Sequence, residues 1–173
     1  FHVGGLVGYN PNGVVTDSNA TADVDGSQRV GGLVGLSQET VTDSYATGDV
    51  DGGENVGGLV GYNLNDLVTK SHAEGNVTGT TNVGGLIGKS QQETVGDLTV
   101  EESYATGEVL GEDNVGGLLG VAINESVVDS YAVGDVDGSS NVGGLVGNAT
   151  GADTEVSQSY AAGVVSNESG PAG

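Results

Sequence analysis

Apolar positions recur along this chain in two frames. The tetrapeptide Val-Gly-Gly-Leu begins at Val3, Val30, Val56, Val83, Val115 and Val142. The closest consecutive copies are those at Val30 and Val56, and the most distant are those at Val83 and Val115. A second marker, Ser-x-Ala, begins at Ser18, Ser44, Ser71, Ser103, Ser130 and Ser159. Each of the first five Ser stands at one fixed distance before the next Val, as from 44 to 56 and from 71 to 83. From each Val to its own Ser the gap ranges from 14 to 20. One half of the unit is length-locked, and the other takes every insertion. The largest insertion falls around residues 89–102 and a smaller one near 152–155. Insertions confined to one place in a repeat map to a loop on one side of a stacked array.

Within the locked half, alternate positions are small or apolar. Rung two reads Ser44, Ala46, Gly48, Val50, Gly52, with Asp43, Tyr45, Thr47, Asp49 and Asp51 between them. Period two is the signature of a strand with one buried face. A Val also stands three positions before every Ser, as at Val41. Gly52 and Asn55 punctuate the unit as turn residues. About 27 residues with three short β runs predict one rung of an all-β parallel β-solenoid, a β-helix. Six rungs at about 4.8 Å give a rod roughly 29 Å long. Parallel crossovers are right-handed in about 98% of cases, so a right-handed solenoid is the default. The expected organisation is a single six-rung solenoid over residues 1–166, with a flexible C-terminal tail at 167–173. Stacked columns of Ala (Ala46, Ala73) and Val (Val50, Val77) would form the interior.

Composition narrows the picture. Gly supplies 34 of 173 residues, too many for a helical protein at about 1 kcal/mol per interior Gly. Asp and Glu number 24 against 3 Lys and Arg, for a net charge of -21. Phosphate neutralisation needs Lys and Arg, so nucleic acid and anionic membrane surfaces are disfavoured as partners. No stretch approaches 18 apolar residues, so membrane insertion is not expected. Cys is absent, which excludes disulfides and thiolate metal sites. Met is absent too and the chain opens with Phe1, which reads as a mature product or an excised piece.

The recurring Gly-Leu-x-Gly, as in Gly5-Leu6-Val7-Gly8, Gly32-Leu33-Val34-Gly35 and Gly117-Leu118-Leu119-Gly120, resembles the GLUG motif. The Ser-Tyr-Ala-x-Gly-x-Val segments between copies look like the same family, so the resemblance covers nearly the whole chain. It implies a tandem repeat of large secreted or surface-anchored proteins of bacteria and archaea, including adhesin-like proteins. It brings no catalytic residues with it. Asn19 and His72 depart from the pattern, standing where Tyr is usual.

Three surfaces are candidates for chemistry. Asp23, Asp25, Asp49 and Asp51 share one outward face on two rungs. Four carboxylates within about 5 to 7 Å are candidate ligands for Ca2+, set against the plainer reading of a solvated acidic face. Tyr45, His72, Tyr104, Tyr131 and Tyr160 occupy one outward column, headed by Asn19. Such a ladder serves either to bind a sugar face or a partner chain, or to stabilise the solenoid. The Val-Gly-Gly-Leu-Val-Gly strand is apolar on both faces, so a loop or another chain is expected to cover it. Five glycosylation sequons stand at Asn19, Asn76, Asn124, Asn148 and Asn167. Lys70 lies in the acidic column of Asp17, Asp43, Glu102 and Asp129 and reads as charge relief. His2 and His72 fall in unrelated frames, which gives no support to catalysis.

The functional expectation is a non-enzymatic extracellular structural or adhesive element on the surface of a halophilic archaeon, a subunit or segment of a filament or stalk. Dense carboxylates with almost no Lys suit high salt. Self-association, end to end or lateral, or contact with other surface proteins or glycans would be its mode of partnership. One alternative is a glycan- or receptor-binding module, an adhesin or a viral fibre or spike, using the Tyr column. The other is the accessory region of a secreted hydrolase.

Overall fold

A computed structural model describes residues 1–65, 67–92 and 99–167. It is a β-solenoid of six turns, with no helix among the described residues. The first rung holds β1 (Val3–Gly4), β2 (Val7–Asn10), β3 (Val15–Thr16), β4 (Asn19–Ala20) and β5 (Val24–Asp25). The second holds β6 (Gln28–Gly31), β7 (Val34–Ser37), β8 (Val41–Thr42), β9 (Tyr45–Ala46) and β10 (Val50–Asp51). The pattern continues to the sixth rung, which ends with β30 (Val165–Asn167). Equivalent strands pair in parallel register, Val30 with Val56 and Ala46 with Ala73, and build five six-stranded sheets. We number these sheets one to five in rung order.

Five strands per rung replace the expected three. Two local causes divide the runs. The residue before each marker Ser sits in the left-handed region, as at Asp43 (φ 49°) and Lys70 (φ 50°), and turns sheet three into sheet four. The Gly-Gly pair bends the Val-Gly-Gly-Leu-Val-Gly run, so its two ends lie in sheets one and two. These sheets face each other through missing side chains. A Cβ on Gly31 would lie 2.1 Å from Val34 O and 2.7 Å from Gly61 N, the amide of a sheet-two strand one rung on. At the bend, a Cβ on Gly32 would lie 2.1 Å from Gly58 O and 2.9 Å from the Cβ of Ala46. Small residues let the arch and sheet four approach closely.

The arch divides the interior into two columns. One, built on Val24, Val30, Val50, Val56, Val77 and their successors, lies between sheets one and five. The other joins Leu33 and Val34 of the arch to Val41 and Ala46 of sheets three and four. Here the sequence expectation needs correction. The apolar wall needs no cover from a loop or another chain. The chain's own sheets bury both of its faces, because the glycine bend aims Val30 to one side and Leu33 to the other. Leu33, Leu59, Leu86 and Leu118 are fully buried, each contributing about 2 kcal/mol relative to an exposed side chain.

Side-chain ladders close the corners. The Ser44 hydroxyl donates to Thr42 O at 2.7 Å and accepts the Ser18 N–H at 3.2 Å. Ser71, Ser103, Ser130 and Ser159 repeat this arrangement. The connection that varies in length runs between sheets two and three, from residues 38–40 in rung two, where the Val-to-Ser gap is shortest, to the inserted 151–154 in rung six. Most of the large rung-four insertion (93–98), and the tail beyond Asn167, lie outside the described residues.

Candidate functional site

Three outward surfaces carry the polar chemistry of the rod, and rung stacking positions all of them. The first is the aromatic column on sheet four. The rings of Tyr45, His72, Tyr104, Tyr131 and Tyr160 stack with centroids 5.0, 4.6, 4.9 and 5.1 Å apart and planes within 6° of parallel. The strand spacing imposes this, since consecutive rungs repeat at about 4.8 Å. Tyr45 and Tyr160 are exposed and the three rings between them are half-buried. Each inner ring has both faces covered by its neighbours and presents only its edge and polar tip. Burial among the rings holds the His72 imidazole below its usual range, against the opposing pull of Glu74, whose Oε1 lies 3.7 Å from Nε2. Burial, and then Tyr131 and Glu74, raise the Tyr104 phenol.

The second surface is an acidic groove of about 480 Å³ along sheet five. Asp23, Asp25, Asp49 and Asp51 line it with Asn76 and Glu108. Asp25 pairs with Asp51 across the sheet. The alternate column is engaged with the main chain. Asp23 Oδ1 accepts the Asp49 N–H at 3.0 Å, Asp49 Oδ1 accepts the Asn76 N–H at 2.8 Å, and Asn76 Oδ1 accepts the Glu108 N–H at 3.0 Å. Among the described residues, no three His, Asp or Glu are gathered around one point to hold a metal ion. Each of these side chains caps an amide where the chain leaves sheet four.

The third surface was not singled out by motif. It is the open mouth of the arch, where the outer ends of sheets one and two meet. One side is the column His2, Arg29, Asn55, Asn82, Asn114, Asn141; the other is Tyr9, Leu36, Tyr62, Lys89, Val121, Asn148. The two are staggered by one rung. Asn148 Nδ2 therefore donates to Asn114 Oδ1 at 3.2 Å, and the Arg29 guanidinium lies 5.5 Å from the centre of the Tyr62 ring. Lys89 Nζ approaches the same ring at 5.2 Å. An amide ladder runs up the first column, from Asn82 to Asn55 and from Asn114 to Asn82, both at 2.9 Å. The signal was present in the sequence. Arg29 occupies the Asn position of its rung, and Lys89 follows Tyr62 by one full repeat.

Of the sequon residues, Asn19, Asn76 and Asn167 are exposed. Asn124 and Asn148 instead use Nδ2, the atom that would carry a glycan, as a hydrogen-bond donor to Gln92 O and Asn114 Oδ1. Lys70 stands on the exposed corner between sheets three and four, in the column of Asp43 and Glu102.

Three GLUG-motif repeats match the chain, over residues 1–25, 26–51 and 52–78. Each GLUG repeat ends with a strand of sheet five, at Asp25, Asp51 and Thr78, so one motif is one rung. From Gly79 onward the same five strands recur, with longer turns between sheets two and three in rungs four and six. No curated protein and no solved structure matches the chain. Each residue of the Val-Gly-Gly-Leu-Val-Gly run that contains the motif has its own place in the rung. Val fills the first core column and Leu the second. The first and last Gly line the arch interior, and the second Gly makes the contact with sheet four.

Proposed function

We propose that this GLUG-repeat chain is a non-enzymatic structural rod on the outside of a halophilic microbe, a stiff segment of a surface filament or stalk. One observation carries the reading. Five sheets of parallel strands run the length of the molecule in unbroken register, and two core columns run with them. Stretching such a rod along its axis loads the hydrogen bonds of all five sheets together. Backbone bonds and stacked rings add with every rung, so stiffness and length scale with repeat number. The acidic surface supports a high-salt setting, where dense carboxylates keep the rod soluble.

Antibody labelling of intact cells of the source organism tests the placement, and single-molecule stretching tests the mechanics. The expected result is label on unbroken cells and cooperative unfolding rung by rung under load. Label only after lysis, or a chain that extends without a force peak, would overturn the reading.

A second reading, an adhesin that binds glycans through the Tyr column, draws support from the exposure of Tyr45 and Tyr160 (36% and 55%). It is the weaker one. Sugar rings stack on aromatic faces, and here the inner faces are covered. Soaking with neutral oligosaccharides while following tyrosine fluorescence separates the two, since only the adhesin reading expects a saturable change.

A further inference from the structure

The arch mouth differs in charge from the rest of the molecule. The chain has 24 acidic residues, yet none of the twelve positions in the two mouth columns is acidic. Two of its three cations, Arg29 and Lys89, converge there on one ring. Neither forms an ion pair among the described residues, where the one such pair is His72–Glu74. Contact with the ring engages one face of the guanidinium and leaves its edge N–H donors open, and an ammonium over a ring keeps donors pointing outward. Stacking on Tyr62, whose hydroxyl donates to Gln91 at 3.1 Å, holds both cations in place. The neighbouring Glu54 accepts the Asn55 Nδ2–H at 3.2 Å, and the two preorganised cations, in columns without Asp or Glu, form a surface that fits further carboxylates.

Those carboxylates are present on the same chain. The sheet-five groove presents Asp25 and Asp51 side by side, without the main-chain hydrogen bonds that engage Asp23 and Asp49. Groove and mouth are columns parallel to one axis with the same rung repeat, so two rods laid side by side keep their charges in step. The groove runs from Asp23 in rung one to Glu108 in rung four, and the cationic spot spans rungs two to four. We propose that the arch mouth at Arg29, Tyr62 and Lys89 docks laterally into the acidic groove of a second copy of this chain. The contact is heterologous: each docked copy still offers one free mouth and one free groove, so pairing propagates into a bundle. It rests on the reading of the chain as a structural rod and supplies the sideways contact that a stalk needs.

Salt has an unusual role in such a contact. At 0.1 M the screening length is about 10 Å, and copies of charge -21 repel before the patches meet. At 1 M it is about 3 Å, which removes the long-range repulsion while retaining part of the attraction between groups in contact. Pairing is therefore expected to strengthen from dilute to molar KCl.

Sedimentation equilibrium over a concentration series at 0.1, 1 and 2 M KCl tests this with the whole chain. The parent is expected to rise in mass with concentration at molar salt and to exceed a dimer. Arg29→Gln/Lys89→Gln and Asp25→Asn/Asp51→Asn should each remain monomeric, with unchanged circular dichroism. An equimolar mixture of the two variants should stop at the dimer, because only one competent mouth and one competent groove meet. A parent that stays monomeric at every salt overturns the proposal, and so does association that either variant leaves unchanged. Capture of an acidic polysaccharide by a monomeric parent overturns it in favour of a glycan site. None of these outcomes alters surface labelling or mechanical unfolding, so the lateral contact and the structural reading fail separately.

Discussion

The two core columns of this rod are built to different standards. The column between sheets one and five is Val throughout, from Val24 to Val136, and every described rung contributes the same atoms. The column between sheets two and three mixes Val, Leu, Ile and Ala, and the same space admits buried Ser37, Asn63, Ser90, Gln92 and Glu125. The difference follows from chain length. The segment from each Ser to the next Val has one length in every rung that contains it. It crosses sheets four and five and enters sheet one without slack, so any residue but Val leaves a void or a clash. The connection between sheets two and three varies in length, so each rung fills its own space. A tight half fixes register and a loose half tolerates variation.

Wedging the arch away from sheet four, which belongs to the tight half, should have the largest effect. Gly58→Val, whose Cβ would stand 2.2 Å from Gly85 O and 2.8 Å from the Ala73 Cβ, is expected to abolish cooperative folding. A circular dichroism melt checks this. A retained transition within a few degrees of the parent would show that the arch and sheet four separate more easily than the packing implies.

Glu125 probes the loose half. It is fully buried, accepts the Ser90 hydroxyl at 2.6 Å, and has a carboxyl pushed up to about 7 by burial. A carboxyl raised from 4.5 binds its proton more tightly in the folded chain than in the unfolded one. Between about pH 4.5 and 7 the folded chain holds a proton that the unfolded chain has lost. Stability from this group is therefore full at the acid end of that window and falls as pH rises through it, by about 3 kcal/mol in total. Denaturant titrations from pH 4.5 to 8 should show the decline in the parent and a flatter profile in Glu125→Gln. Parallel profiles would refute the assignment.

The Ser ladder is a smaller lever in the tight half. Ser71→Ala removes the acceptor of the Ser44 N–H and the donor to Thr69 O, both in a buried corner. A loss of about 1–2 kcal/mol is expected in a urea titration. A neutral outcome would mean that the left-handed residue at Lys70 holds the corner alone.

The smallest effect is expected where the sequence already tolerates length. Doubling the turn at residues 38–40 with Gly and Ser should cost about 0.6 kcal/mol, since closure entropy grows slowly. The same insertion placed between Gly52 and Gly53, in the locked half, should unfold the protein. Equal tolerance at both places would erase the distinction between the halves.

Much of the rod was legible in the sequence because a solenoid writes each contact six times. Period two gave the buried Ala and Val of sheets four and five, and the identical spacing gave the outward Tyr column. The arch was not legible. Val-Gly-Gly-Leu-Val-Gly reads as one apolar strand, and no local rule says that Gly31 will close on a backbone from the next rung. The cationic mouth was hidden for the same reason. Arg29 and Tyr62 stand more than a full repeat apart in the chain, and only the one-rung stagger between sheets one and two brings them together.

What repeats could be read from the chain alone: the rung length, the parallel stacking, the residues that share a column and the place where insertions fall. These follow from backbone geometry, because a fixed period of alternating residues has one way to stack. Tertiary structure alone decided which columns face each other across the rod. It folded one apolar run into an arch, divided the interior into two cores and set two cations against one ring. Those contacts join columns by distance through space, and a period records spacing only along the chain.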